Sequence, residues 1–400
     1  MKIYLIGTGI NGISSLTREA ADAIDQAELL IGAERMLEPY RQSGKELFSC
    51  SRPVQIADYL SQSQIQAAAV LLSGDCSFFS GAKTLLELLE GNTVSVIPGI
   101  SSVSAMCARI GIPYEDMKFV SLHGKHANIA IHTALNRYCF FLLGGNVSAS
   151  ELCSRLSAYP FQQLTVHIAS DLGYPNESVL SGKPEDYTDL PARTLEVVVT
   201  DNRQHLKYIP SAIPDDSFIR GSKPMTKAEV RCCAVAALQI EANSICWDIG
   251  CGTGSVSVEM AFRCPDGHVY AFDLSNDAVC LTNKNAQKFC CDHISVIEGI
   301  CPDILADVPP PDRVFIGGSS GKLRQILQKA SEYNPNVRVM VTAVSLETVT
   351  EAAESFRQMR VPYHIRQIGV THMKRIGNHT MPQVQNPIFL IEGDFSCKDF

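Results

Sequence analysis

The stretch richest in chemistry is ICWDIGCGTGSVSVEM, residues 245–260. An apolar run (Ile245, Cys246, Trp247) reaches Asp248, and Gly250, Gly252 and Gly254 follow on alternate positions. Val256, Val258, Met260 and Ala261 then restart a helix-compatible pattern, so the order reads as strand, glycine turn, helix. Glycines suit such a turn because the backbone passes through conformations a Cβ would forbid and lies close against a flat ligand. Residues 268–272, HVYAF, read as the next strand and end in Asp273, at roughly the spacing at which a carboxylate meets a ribose diol. Turn and acid together describe a nucleoside site.

The charge beside the glycines narrows the nucleoside. A dinucleotide fold uses G-x-G-x-x-G, with a pyrophosphate on the helix N-terminus. Here the order is D-x-G-x-G-x-G, so a phosphate would face Asp248, whereas a sulfonium or an amino-acid ammonium is welcome there. The expected cofactor is S-adenosyl-L-methionine rather than NAD.

These residues need a scaffold, and the chain predicts one twice. Residues 3–9, IYLIGTG, form another strand-to-glycine-turn unit, and from Leu16-Thr17 an Ala-rich segment reads as a helix to about Leu30. Residues 67–72 and 94–97 read as short buried strands that run into Ser73-Gly74-Asp75 and Pro98-Gly99-Ile100-Ser101-Ser102. Ligands of open αβ sheets collect at the carboxyl ends of strands, so these loops predict a crevice of their own. Residues 200–217 lose apolar periodicity and carry Pro210 and Pro214, which marks a boundary. Beyond it, Thr226 and Glu229 frame a capping box for a helix over 227–240. A strand at 313–316, a loop with Gly317, Gly318 and Gly321, a helix, and a strand at 337–344 complete a doubly wound sheet. The expected domains are 1–205 and 214–400.

Composition excludes several classes. Four hundred residues exceed what one core usually serves. A hydrophobic content of 46% and a charged content of 19% are globular values, and a net charge of -8 argues against a general nucleic-acid binder. The opening MKIYLIGTGI is too short an apolar run for a signal or membrane segment, so a cytoplasmic protein away from membranes is expected. Fifteen cysteines without a C-x-x-C read as reduced thiols, and no metal site is expected. His123-Gly124-Lys125-His126 reads as a loop pair of histidines, a substrate contact or a metal pair. Residues 366–381, with Arg366, His372, Lys374, Arg375 and His379, are locally basic, either a solvated edge or a rim for carboxylates.

IGTGINGISSLT, LLSGDCSFFS, VIPGISSVSAMCARIGIP, SLHGK and IASDLGYPNESVLSG resemble, in the same order, the motifs of the tetrapyrrole methylase family, over residues 1 to about 200. The resemblance implies two αβ subdomains with S-adenosylmethionine folded between them and held largely by backbone groups. It places cofactor contacts at Ser73, Gly74, Asp75, Phe78, Ser101, Ser102 and Leu143. Cys76 stands where that family usually has proline, which loosens the turn and removes no chemical group. PDDSFIRGSKPMTKAEVR, DIGCGTGSVSVE, YAFD, EGICPDIL and VFIGGSSGKL resemble the decarboxylating corrin-ring methyltransferase family, from about residue 214 onward. This second resemblance implies a Rossmann-like class I methyltransferase sheet with cofactor residues Thr226, Asp248, Gly250, Cys251, Gly252, Thr253, Gly254, Asp273 and Cys301. Candidate substrate contacts are His123, Arg220, Lys374 and Arg375.

A chain joining the two families resembles the bifunctional methyltransferases of cobalamin biosynthesis, which commonly self-associate. The implied substrate is a precorrin-6 type macrocycle, with or without cobalt. The amino-terminal half would methylate ring carbon 5; the carboxyl-terminal half would methylate carbon 15 and remove the carboxylate of the ring C acetate, giving a precorrin-8 type product. Methyl transfer from a sulfonium to a nucleophilic carbon needs alignment more than acid–base machinery, so no catalytic side chain stands out. An NAD-dependent oxidoreductase and a non-catalytic tetrapyrrole-binding scaffold remain as alternatives, separated by NAD binding and by production of S-adenosylhomocysteine.

Overall fold

A computed structural model describes residues 1–123, 127–144, 147–221 and 223–397. The chain divides into two compact units: Met1–His126, Arg137–Ser154 and Gln163–Arg203 make the first, and Ala127–Asn136, Arg155–Gln162 and Gln204–Phe400 the second. Among the described residues no helix is long and apolar enough to cross a membrane. All fifteen cysteines are free thiols.

The first unit holds two five-stranded sheets. Strands β1 (Lys2–Gly7), β2 (Leu29–Gly32), β3 (Glu46–Ser49), β4 (Ala67–Leu72) and β5 (Thr93–Ile97) lie in the order β3-β2-β4-β1-β5, all parallel. Parallel strands covered on both faces read as continuous apolar runs, and β1 does so: Ile3 and Leu5 pack into one cluster, Tyr4 and Ile6 into another. The second sheet has β6 (Lys118–Ser121), β7 (Tyr138–Leu142), β8 (Leu164–Ser170), β9 (Ser178–Gly182) and β10 (Glu196–Asn202) in the order β6-β7-β10-β8-β9. Here β6 and β7 pair parallel and the other neighbours antiparallel.

One element differs from expectation. Instead of reaching Leu30, the first long helix is Arg18–Gln26, capped by the Thr17 hydroxyl, which accepts from the Ala20 N–H at 3.1 Å. Leu29, Leu30 and Ile31 are fully buried in β2, between β3 and β4, and that pairing overrides the helix-prone composition.

In the second unit, β11 (Ile245–Ile249), β12 (His268–Asp273), β13 (Ile294–Glu298), β14 (Arg313–Ile316), β15 (Arg338–Ala343), β16 (Tyr363–Ile368) and β19 (Ile388–Asp394) form one sheet, ordered β13-β12-β11-β14-β15-β19-β16. The first five are parallel, and β19 runs against both β15 and β16. The order reverses between β11 and β14, the place where doubly wound sheets open a crevice. Alternation along the strands feeds a core on each face: Trp247, Val314, Ile316, Val339 and Val341 on one, Cys246, Phe315 and Met340 on the other. A separate hairpin, β17 (Thr371–Ile376) with β18 (His379–Val384), is exposed along its whole length.

The helix after the linker is Ala228–Ala237 rather than 227–240, and the capping box is not made. Lys227 holds the N-cap position without a side-chain bond, and Thr226 instead gives its carbonyl to Arg231 Nη1 at 2.6 Å.

The second unit also takes in the helix Ala130–Leu135, from between β6 and β7. Asp292 Oδ2 accepts from the N–H groups of Ile129 (2.6 Å) and Ala130 (2.9 Å), and Oδ1 from that of Ile131 (3.1 Å). Asn128 Nδ2 donates to the carbonyls of Pro265 (2.8 Å) and Gly267 (3.0 Å). Carboxylate to N-terminus is the favourable sense of the helix dipole.

Candidate active site

The second unit's glycine turn is built by β11, which ends one residue beyond Asp248, and by a helix, Ser255–Arg263, that starts after a left-handed Gly254. Gly250 has φ of 75°, and a Cβ there would stand 2.7 Å from the Gly318 nitrogen, so the turn closes against the loop after β14 only because the residue is glycine. Asp273, at the end of β12, braces the turn: Oδ2 accepts from the Gly252 N–H and Oδ1 from the Ser275 N–H, both at 3.0 Å. The result is a cavity of about 280 Å3 lined by both carboxylates, the glycine turn, residues 299–301 and residues 317–320, with Lys223, Pro224 and Thr226 on the remaining side.

Asp248 is fully buried. Its Oδ2 accepts a hydrogen bond from the Ser257 hydroxyl, and its Oδ1 has no partner. Burial pushes its carboxyl up to about 7 against the pull of Ser257, and the charge of Asp273 adds to the rise. The Thr253 hydroxyl, on another residue lining the cavity, is also buried without a partner. A buried polar atom left unpaired is costly unless a ligand completes it. Both orphans face the needs of a nucleoside that carries an ammonium and a sulfonium, so the residues present fit S-adenosylmethionine. The Cys301 thiol is raised by burial to about 12 and stays protonated, a lining group rather than a nucleophile.

The side bearing Lys223 and Thr226 is fixed by a buried ion pair. Arg231 is wholly buried; its Nε donates to Glu259 Oε1 at 2.6 Å, its Nη1 to the Thr226 carbonyl at 2.6 Å, and its Nη2 to the Ile213 carbonyl. Glu259 Oε1 also accepts from the Ile213 N–H at 2.9 Å. One guanidinium therefore ties linker, cavity wall and the helix of the glycine turn together.

In the first unit three glycine loops interlock at the carboxyl ends of β1, β4 and β5. Gly9 and Gly74 exchange N–H to carbonyl bonds at 3.0 Å. A Cβ on Gly99 would lie 2.3 Å from the Gly74 oxygen and 2.5 Å from the Gly7 oxygen. Asp75 locks the assembly, Oδ2 accepting from the Gly99 N–H at 3.0 Å and Oδ1 from the Ser77 N–H at 2.7 Å. Burial pushes the Asp75 carboxyl up, but the bonds from Ser77 and Gly99 outweigh it and hold it below the usual carboxylate range. Ser101 caps the helix Ser102–Ile110 through the Ser104 N–H (3.2 Å), and Ser73 accepts from Arg35 Nη2 at 3.0 Å. Phe78 stacks edge-on against Phe119 and Phe140, and Leu143 is buried after β7. Cys76, in place of the family's proline, is buried with its thiol toward the Leu5 and Ile97 carbonyls at 3.5 Å.

Of the residues the sequence marks in the carboxyl-terminal half, Thr226, Asp248, Gly250, Cys251, Gly252, Thr253, Asp273 and Cys301 line one cavity, and Gly254 starts the helix beneath it. Lys223 and the 317–320 loop join them; the G-G after a strand was the legible signal for the loop. Arg220 is exposed and does not line this cavity. Strand pairing places Lys374 on the face of the hairpin that also carries His372, which pairs with Glu229 at 3.3 Å, and puts Arg375 on the opposite face. His123 lies against Gly144, beside Leu143, while Gly124, Lys125 and His126 are outside the described residues.

Residues 216–392 match the precorrin methyltransferase domain and residues 2–187 the tetrapyrrole (corrin/porphyrin) methylases. A probable cobalt-precorrin-6B C(15)-methyltransferase (decarboxylating) from Pyrobaculum calidifontis is 37% identical over 187 residues, 46% of this chain and 96% of that protein. A precorrin-6Y C(5,15)-methyltransferase (decarboxylating) from Sinorhizobium sp. is 26% identical over 336 residues, 80% of this chain and 79% of its own. A crystal structure of a precorrin-6y C5,15-methyltransferase from Geobacter metallireducens GS-15 aligns with a TM-score of 0.44 and 31% identity, covering 46% of this chain and 95% of that one.

Proposed function

We infer the reaction from a premise the comparisons establish: this chain belongs to the precorrin methyltransferases. It is an S-adenosylmethionine-dependent C-methyltransferase with decarboxylase activity in cobalamin biosynthesis. The amino-terminal domain, residues 1–205, methylates carbon 5 of a precorrin-6 type macrocycle. The carboxyl-terminal domain, 214–400, methylates carbon 15 and releases the ring C acetate carboxylate as carbon dioxide.

The observation that carries the reading is the glycine-turn cavity with an unpaired, buried carboxylate oxygen on Asp248. When bound, S-adenosylmethionine supplies an electrophilic methyl group on a sulfonium. Asp273 is placed to accept from ribose hydroxyls, and Asp248 Oδ1 and Thr253 Oγ1 to complete their bonds on the polar end of the cofactor. Arg231 holds the cavity wall in place at the Thr226 carbonyl. Decarboxylation leaves an electron pair that the conjugated ring of the substrate takes up, so the protein's share is orientation. In the first unit, binding falls to backbone groups of the interlocked loops, since Asp75 is committed to Gly99 and Ser77.

The chain works in the cytoplasm on a small polyanionic ring, not on nucleic acid, in keeping with its net charge of -8. It self-associates, and light scattering of the eluting protein reads this. Titration with S-adenosylhomocysteine is expected to find two sites in each chain, and product mass to show two added methyls and one lost carbon dioxide, from a metal-free or a cobalt-loaded ring. One site only, or no carbon dioxide with either ring, removes the bifunctional reading.

A further inference from the structure

We propose that Lys223 is the carboxylate-binding residue of the carboxyl-terminal site. The proposal rests on the reading of that site given above and adds a residue and a ligand chemistry to it. Among the described residues lining the cavity, Lys223 is the only cation, facing two acids, Asp248 and Asp273. A cavity with that balance repels carboxylates wherever no cation stands, yet both reactants carry them: the amino-acid end of the cofactor and the side chains of the macrocycle. The lysine therefore marks where a carboxylate enters.

Its surroundings leave the ammonium available. Lys223 is half-buried and has no ion-pair partner among the described residues, whereas Lys227 pairs with Asp215 at 3.2 Å and Lys322 with Asp303 at 3.0 Å. Its backbone is not free. Pro224, the next residue, has its carbonyl 3.2 Å from where a Cβ on Gly252 would stand, so this wall leans on the glycine turn. Arg231 holds the same segment through the Thr226 carbonyl. A backbone held in the cavity wall with an unpaired ammonium at the end of a flexible four-carbon stem can bring one charge-assisted bond to a carboxylate in the cavity.

The two carboxylate sources separate in one assay on the full chain. Carbon dioxide release reports the carboxyl-terminal site alone. In Lys223→Met, inhibition of that release is measured with S-adenosylhomocysteine, which keeps the amino-acid carboxylate, and with 5′-methylthioadenosine, which lacks it. If the lysine holds the cofactor's carboxylate, S-adenosylhomocysteine weakens by about ten- to hundredfold while 5′-methylthioadenosine is unchanged. If it holds a macrocycle carboxylate, both inhibitors are unchanged and the KM for the tetrapyrrole rises by a similar factor. Lys223→Arg keeps most of either effect. Equal weakening of both inhibitors, or no change in any of the three constants, overturns the proposal. A wild-type chain that releases no carbon dioxide, or that S-adenosylhomocysteine does not inhibit, overturns the underlying reading itself.

Discussion

Both units place an acid beside a glycine turn, and they use it in opposite ways. In the first, both oxygens of Asp75 are engaged, Oδ2 by Gly99 and Oδ1 by Ser77, and its carboxyl is held low. In the second, Asp248 keeps a buried oxygen unpaired beside the cavity, and its carboxyl rises to about 7. A carboxylate next to glycines is thus a brace in one case and a ligand group in the other. The difference lies in what the neighbouring residues offer: N–H groups at Gly99 and Ser77 engage both oxygens of Asp75, whereas Asp248 is met by Ser257 alone and keeps Oδ1 without a partner.

That contrast can be broken most forcefully at the buried ion pair. Arg231→Met leaves Glu259 charged and unpaired, which should cost about 3–5 kcal/mol in chemical unfolding of the second unit and abolish its cofactor site, with the first unit's site retained. In the first unit, Gly99→Ala forces a Cβ onto two backbone oxygens; a loss of about 1–3 kcal/mol or more is expected, seen as an early unfolding transition with the carboxyl-terminal site still titratable. Asp273→Ala should weaken S-adenosylhomocysteine at the second site alone by about ten- to hundredfold, which two-site calorimetry resolves. Equal weakening at both sites would sink the assignment.

The mildest test is pH. Asp248 is neutral below about 7 and charged above it, and only the carboxylate attracts a cation. Cofactor affinity at the second site should therefore climb as pH passes through 7, while the first site stays flat. Stability runs the other way: the folded carboxyl binds its proton more tightly than the unfolded one, so the ligand-free second unit loses stability as pH rises from the ordinary carboxyl value of 3.8 to about 7. Asp248→Asn should remove both slopes, and an unchanged affinity profile in that variant would show that another group titrates.

Much of the second site was legible because its residues are close in sequence. The D-x-G-x-G-x-G turn and Asp273 are neighbours across two adjacent strands, and β11 and β12 follow from apolar runs. Lys223 carries no such signal, since its place in the wall depends on Arg231 and Glu259, whose pairing spans 28 residues and leaves no periodic trace. The misread capping box has the same cause: Thr226 answers to Arg231 before it answers to its own helix. At Leu29–Gly32 composition favoured helix, but burial between two strands decided the outcome. Least legible of all was the membership of residues 127–136 in the second unit, because the aspartate that holds them is 163 residues away from Ile129.

That distance has a meaning in time. At synthesis rates of about 5–20 residues per second, Asp292 leaves the ribosome roughly 10–30 seconds after Ile129, whereas a helix can form in about a microsecond. A helix of six residues has little stability alone, so Ala130–Leu135 emerges without its cap and stays uncommitted for that interval. Ile129 and Ile131, both buried in the finished protein, are open to chaperones or to misfolding partners while they wait. Folding order is therefore not chain order here: the turn of helix at residue 130 is completed only once residue 292 has been made.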